Sequence, residues 1–278
     1  FDPNHWFHRL WFDLAPEVLH HLTGYVRSDT AMFHSYMTSW YRPSRSNGDC
    51  VMLYDTSNTL WFWDRGYPSW GRALGSPDIL DDAMMEDGGL KGRKLLVIPN
   101  TSATVTSRKA AEALRKWVAA GGRVVGFGKG CLECVVEEDR SLRRLAYFAG
   151  MLPPEAVEGA SPDAVIERSY GRGTVVLDLR PVDPASEHAR AAMGFLERQA
   201  SAAGARIWCR AAPGWDANLM YGGLDRKTGR HLFVLDLTRR AFNGPDGPEF
   251  WKNRTFSLTF HPSLSGEAEL VAITDSFV

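Results

Sequence analysis

Cys131 is the side chain whose type and setting most invite covalent chemistry. It follows the apolar run Arg123-Val-Val-Gly-Phe-Gly128 in the sequence Gly128-Lys-Gly-Cys-Leu-Glu133, so a strand would deliver its thiol. A nucleophilic thiol needs a lowered pKa and an imidazole within hydrogen-bond reach. The competing expectation is a small buried hydrophobe, the usual fate of a free cysteine. Cys131 and Cys134 also form a CxxC pair. A zinc site needs two more ligands, and Cys50 and Cys209 are each isolated. A redox pair would open a helix in a proline or aromatic context, which is absent. Local packing is the expected role of both thiols.

His5, His8, His20, His21 and His34 suggest a metal by number alone. None forms an HExxH, and His20 and His21 point to different faces of a helix. His5 and His8 could share a face, but no carboxylate partner is defined. Solvated or aromatic-packed histidines are expected, with no metal and no other cofactor. Gly126-Phe-Gly-Lys-Gly130 lacks the Gly-Lys-Ser/Thr ending of a phosphate loop.

The loop Leu60-Trp-Phe-Trp-Asp-Arg-Gly-Tyr67 is the strongest binding candidate. Indole rings stack on sugar C–H faces, and Asp64 and Arg65 could bind hydroxyls. Trp61, Trp63 and Tyr67 would serve equally as anchors of a subunit interface, where aromatics are enriched. The interface role is favoured, and both roles can coincide where a neighbour's loop walls a sugar site. Six of the ten Trp precede residue 71, so this region does more than scaffold.

The elements that position these groups can be read from periodicity. Residues 16–41 read as a helix, with Pro16 in its first turn and Val18, Leu19, Leu22, Tyr25 and Val26 on one side. Pro43 to Gly48 is a turn-rich linker. Cys50 to Asp55 reads as a strand covered on both faces, and the Trp-rich loop leaves its carboxyl end, where open α/β sheets carry ligand crevices. Lys94 to Asn100 is a second strand. Ser107 caps a helix whose stripe is Ala110, Ala111, Leu114, Trp117 and Val118, and Gly121-Gly122 ends it. Arg123 to Gly128 is the next strand, so this strand–helix–strand unit implies a parallel sheet. A helix is expected over 141–150, a hairpin around Gly171-Arg-Gly173, and an amphipathic helix over 186–200. After Ala205 only short segments separated by turns remain, the pattern of a small antiparallel sandwich.

Composition excludes several classes. The 278 residues carry a net charge of −1, with 44% apolar and 23% charged residues. No global field favours nucleic acid or acidic membranes. No apolar run approaches the roughly 20 residues that span a bilayer. Four cysteines make no disulfide scaffold, which favours a reducing, cytoplasmic compartment. The lack of an initiator Met suggests processing or a fragment.

Gly92-Arg-Lys-Leu-Leu-Val-Ile-Pro-Asn100, with the helix ending Lys116-Trp-Val-Ala-Ala-Gly-Gly-Arg-Val-Val125, resembles the middle domain of family 42 bacterial β-galactosidases. The resemblance covers roughly residue 49 to the end. It implies a flavodoxin-like, class I glutamine-amidotransferase-like α/β fold, with helices on both faces of a parallel sheet, followed by a small antiparallel β-sandwich. In that family the domain mediates trimerisation and sits between a catalytic barrel and a small β domain. The expected organisation is a helical segment and linker over 1–48, which could form the end of a barrel, the α/β domain over 49–204, and the β-sandwich over 205–278. The implied partners are carbohydrate and further copies of the chain, as a trimer.

The departures bear on activity. Retaining glycosidases use two carboxylates about 5 Å apart. The family's clan places its acid/base Glu after an Asn, and this sequence has no Asn-Glu dipeptide. Residues before 49 are too few for a barrel of roughly 250 residues. An amidotransferase elbow has Gly two positions after its Cys, where this chain has Glu133. The family's His-Pro-Glu is replaced by Arg180-Pro181-Val182, and Glu187-His188 differs in order and spacing. The expected function is the non-catalytic, oligomerising region of a glycoside hydrolase. The alternatives are a free-standing amidotransferase-like hydrolase using Cys131, or a sugar-binding module using the Trp61–Tyr67 loop.

Overall fold

Short apolar runs without helical spacing form the middle of the main sheet. A computed structural model of the chain describes residues 28–43, 50–52, 73–75, 77–99, 104–180, 187–211, 218–225, 227–236, 257–264 and 266. The chain divides into two units, one of them Ser28–Arg206 and the other containing Ile207–Val278.

The first unit contains strands β1 (Thr30–Phe33), β2 (Tyr41–Pro43), β3 (Cys50–Met52), β4 (Asp78–Leu80), β5 (Leu95–Ile98), β6 (Val105–Ser107), β7 (Arg123–Phe127), β8 (Cys134–Val136), β9 (Leu142–Arg144), β10 (Val165–Tyr170) and β11 (Gly173–Asp178). Its helices include α1 (Met37–Trp40), α2 (Asp82–Glu86), α3 (Arg108–Ala119), α4 (Pro154–Glu158) and α5 (Glu187–Ala202).

Six strands form the main sheet in the order β10-β11-β7-β5-β1-β4. All neighbours from β11 to β4 pair in parallel, and β10 joins the edge as the antiparallel arm of a hairpin. Numbered along the chain, the five parallel strands lie in the order 2-1-3-4-5, the strand order of flavodoxin-like sheets. Every residue of β1 and β5 is buried, as expected of strands in the middle of a parallel sheet.

Helix α3 supports this sheet as its sequence predicts. Ser107 accepts a hydrogen bond from the Ala110 amide at 3.0 Å, and Ala110, Ala111, Leu114 and Val118 are buried. Burying a side chain such as Leu114 stabilises the fold by about 1.5–3 kcal/mol. Gly122 is required where the chain turns back: an added Cβ would lie 2.5 Å from the Trp117 ring.

Three expectations are corrected. The predicted helix over 16–41 does not continue through its described part, because Thr30–Phe33 is strand β1, between β4 and β5. A four-residue apolar run is too short for periodicity to separate strand from helix. Cys50–Met52 is not a strand of the parallel sheet; β3 pairs antiparallel with β2 in a separate ribbon. The segment expected as a helix over 141–150 instead contains β9 and a left-handed turn, with φ of 52° at Phe148 and 55° at Ala149. Strand β9 pairs with β8, which pairs with β6, in a three-stranded sheet. Tertiary pairing overrides local helical preference there.

In the second unit, β12 (Cys209–Ala211) pairs antiparallel with β15 (Leu258–Phe260). A hairpin is formed by β13 (Asn218–Asp225) and β14 (Arg230–Asp236), around the turn at Lys227-Thr-Gly229. The Phe233 and Phe260 rings lie 5.4 Å apart between these two ribbons, and Trp208 is buried with its ring 5.2 Å from that of His231.

Candidate functional site

The strand order locates the crevice of the α/β unit. The chain leaves β1 for β4 at one edge, then returns across β1 to β5. Ligand crevices in such sheets lie beyond the carboxyl ends of the strands at this reversal. Here that position holds a closed hydrogen-bond network. Asp82, buried at the start of α2, accepts from Ser35 Oγ at 2.7 Å, Thr106 Oγ1 at 2.5 Å and the Ser107 amide at 3.0 Å. Burial raises its pKa above the ordinary carboxylate value, against the pull of those three donors. Thr38 Oγ1 donates to the Val105 carbonyl at 2.9 Å and accepts from the amides of Thr104 and Val105, each at 3.1 Å. Ser107 Oγ donates to Glu86. The network joins the segment after β1 to α2 and to the β6–α3 junction.

His34, next to Ser35, is buried with its ring edge-on to Tyr36 at 5.2 Å. Burial lowers its pKa to about 4, opposed by the negative charge of Asp81, so the ring is neutral at pH 7. Asp81 itself caps α2 by accepting from the Met84 amide at 2.8 Å.

Cys131 lies after β7, and its thiol points into the core. The residue is 0% exposed, and Sγ is 3.9 Å from the Ile98 carbonyl oxygen. Burial pushes the thiol pKa far above its usual value. The chain continues from Leu132 into β8 rather than into a helix, so the strand–elbow–helix geometry of an exposed nucleophile is not formed. Cys134 is also buried, outside any disulfide. Among the described residues, no group of three or more His, Cys, Asp or Glu could hold a metal ion.

Two loops and α4 line an open cavity of about 390 Å³ beyond the carboxyl end of β7. Lys129 and Glu133 line it from the β7–β8 connection, Arg144 from the end of β9, Tyr147 from the segment after it, and Pro154 and Glu158 from α4. The Lys129 ammonium is 5.4 Å from the centre of the Tyr147 ring. Tyr147 donates its hydroxyl hydrogen to Glu158 Oε1 at 3.3 Å, and Arg144 Nη2 is 3.9 Å from Glu133 Oε2. Three buried non-glycine residues in the segments that carry this lining have left-handed φ: Leu132 at 49°, Phe148 at 52° and Ala149 at 55°. Such residues cost on the order of 1–3 kcal/mol each and persist where surroundings hold them. Here the Ala149 amide donates to the Leu132 carbonyl at 2.9 Å, and Arg115 Nη1 donates to the Ala149 carbonyl at 2.9 Å.

The predicted binding loop of Trp61, Trp63, Asp64, Arg65 and Tyr67 lies outside the described residues, as do His5, His8, His20 and His21. The sequence reading missed the Asp82 network and the cavity. Asp81-Asp82 before an apolar run was a legible capping signal. Nothing local marks Tyr147 or Glu158 as neighbours. Among the described residues, no helix is long and apolar enough to cross a membrane.

No protein-family model and no curated protein matches the chain. Solved structures do. Gan42B, a GH42 β-galactosidase from G. stearothermophilus, is 14% identical with a TM-score of 0.47, matching 70% of this chain and 33% of that one. The β-galactosidase of the Antarctic haloarchaeon Halorubrum lacusprofundi is 17% identical with a TM-score of 0.46, matching 74% of this chain and 35% of that one. That of Bacillus circulans sp. alkalophilus is 11% identical with a TM-score of 0.46, matching 79% of this chain and 42% of that one. This chain is similar to a part of GH42 β-galactosidases, a third to two-fifths of their length.

Proposed function

We propose that this chain is the non-catalytic, oligomer-forming region of a carbohydrate-active enzyme, β-galactosidase-like, whose catalytic carboxylates lie outside it. The observation that carries this reading is the closed crevice at the strand reversal. Asp82 there is engaged by three donors of its own chain, and it ties elements together instead of facing an open cleft. The burial of Cys131 supports the same reading against an amidotransferase-like hydrolase, since a thiolate is the reactive species and desolvation suppresses it.

In this reading the α/β unit is amidotransferase-like in body and forms a homotrimer. Trp61, Trp63, Asp64, Arg65 and Tyr67 provide interface contacts, and they wall a neighbouring sugar site. The strands after Ile207 belong to a small β-sandwich, for which the approach of the Phe233 and Phe260 rings is the supporting contact.

Sedimentation equilibrium and a nitrophenyl β-galactoside assay on the same preparation test this proposal. The expected result is a trimer without turnover, shifted toward monomer by Trp61→Ala with Trp63→Ala. Galactoside hydrolysis by the chain, or glutamine hydrolysis abolished by Cys131→Ala, would overturn it.

A further inference from the structure

We propose that the cavity bounded by Lys129, Glu133, Arg144, Tyr147 and Glu158 binds a neutral polyhydroxylated small molecule, such as a cyclic polyol or monosaccharide. This goes beyond the oligomerisation reading and does not depend on it.

The chemistry of the lining argues for this class of ligand. Its charged side chains are two cations, Lys129 and Arg144, and two carboxylates, Glu133 and Glu158. With the charges balanced, no net field attracts a free anion or cation. The groups alternate in hydrogen-bonding character instead. Ionised carboxylates only accept, while ammonium and guanidinium groups only donate. A hydroxyl does both, so vicinal hydroxyls can bridge from one kind of group to the other.

The existing contacts are long enough to leave that capacity. Arg144 and Glu133 stand 3.9 Å apart, and the Tyr147–Glu158 hydrogen bond is 3.3 Å. Lys129 lies over the Tyr147 ring, with its ammonium 5.4 Å from the centroid. Small-molecule pockets measure roughly 300–1,000 Å³, so a cavity of about 390 Å³ suits a single ring with a few waters.

The backbone adds an independent observation. Leu132, Phe148 and Ala149 are three of the four non-glycine residues with positive φ among the described residues, and all three lie on the two walling loops. Unfavourable backbone concentrates where a site needs a particular geometry. Here it places Tyr147 beside the β7–β8 connection while Phe148 and Leu132 remain buried beneath.

The test is isothermal titration of the full chain with myo-inositol, galactose and glucose, with glutamate and inorganic phosphate as charged probes. At least one polyol is expected to saturate at millimolar concentration, ahead of both charged probes. Glu158→Gln and Lys129→Met, which alter exposed side chains, should each weaken binding roughly tenfold or more, the loss of about one hydrogen bond to a charged group. Unchanged circular dichroism in both variants would separate lost binding from lost fold. Trp61→Ala with Trp63→Ala should leave this binding intact. The proposal fails if no polyol saturates, if a charged probe binds more tightly than every polyol, if both cavity variants bind like the parent, or if the tryptophan variant abolishes binding.

Discussion

Arg206 closes the α/β unit on Asp29, a residue 177 positions earlier in the chain. Its Nε donates to Oδ2 at 3.1 Å, its Nη2 to Oδ1 at 3.2 Å, and its backbone amide to Oδ2 at 3.0 Å. Asp29 also precedes β1, and its carbonyl accepts from the Lys94 and Leu95 amides at the start of β5. The pair therefore fastens the end of the unit to the centre of the sheet. Burial tends to raise the Asp29 pKa, but the bonds to Arg206 outweigh it and hold the carboxyl below the ordinary value. A depressed carboxylate stabilises the fold above its unfolded pKa, and that contribution is lost as pH falls through the folded value. Asp29→Asn should cost about 2 kcal/mol in urea unfolding at pH 7. The difference from the parent should shrink below pH 3.8, the ordinary Asp value.

His34 should give a pH dependence of the same sign, in a higher window. Its folded pKa is lowered to about 4 from an ordinary value of 6.5. The unfolded chain takes up a proton near 6.5 while the native ring stays neutral, so stability falls as pH drops from 6.5 toward 4. His34→Gln should remove that part of the slope. Thermal unfolding of parent and variant across this window measures it; parallel curves would place the ring in a solvated setting.

Asp82→Ala should destabilise by about 2–4 kcal/mol, because Ser35, Thr106 and the Ser107 amide lose their shared acceptor. A raised carboxylate pKa costs stability above the unfolded value, as the unfolded chain ionises first. The parent should therefore gain relative to Asp82→Asn as pH falls toward 3.8. Chemical denaturation at two pH values reads both effects.

Gly126→Ala tests the packing around the buried thiol. An added Cβ would lie 2.4 Å from Phe148 Cε2 and 2.9 Å from Cys131 Sγ. Overpacking of this kind costs about 1–3 kcal/mol. The expected result is a lower melting temperature, with no relief from Cys131→Ala because the Phe148 ring remains.

Cys131 should alkylate with iodoacetamide more slowly than free cysteine at neutral pH, at a rate that rises with added denaturant. Both follow from a thiol that is 0% exposed and raised in pKa. Faster labelling than free cysteine, read by peptide mass spectrometry, would show a poised nucleophile.

Local patterns determined much of this protein. The stripe from Ala110 to Val118, its Ser107 cap and the Gly121-Gly122 stop specify α3, because helix ends and faces depend on near neighbours. The apolar runs Leu95–Ile98 and Arg123–Phe127 specify two parallel strands, and the turn at Gly171-Arg-Gly173 specifies a hairpin. The tertiary structure alone decided that Thr30–Phe33 lies between β4 and β5, since strand pairing is set by partners 47 and 65 residues away (Ala31 with Asp78, Thr30 with Leu95). It alone brought Ser35, Asp82 and Thr106 to one carboxylate, and Lys129, Tyr147 and Glu158 to one cavity. Propensity acts over a few residues, whereas a site is an intersection of distant segments. Only packing selects which segments meet.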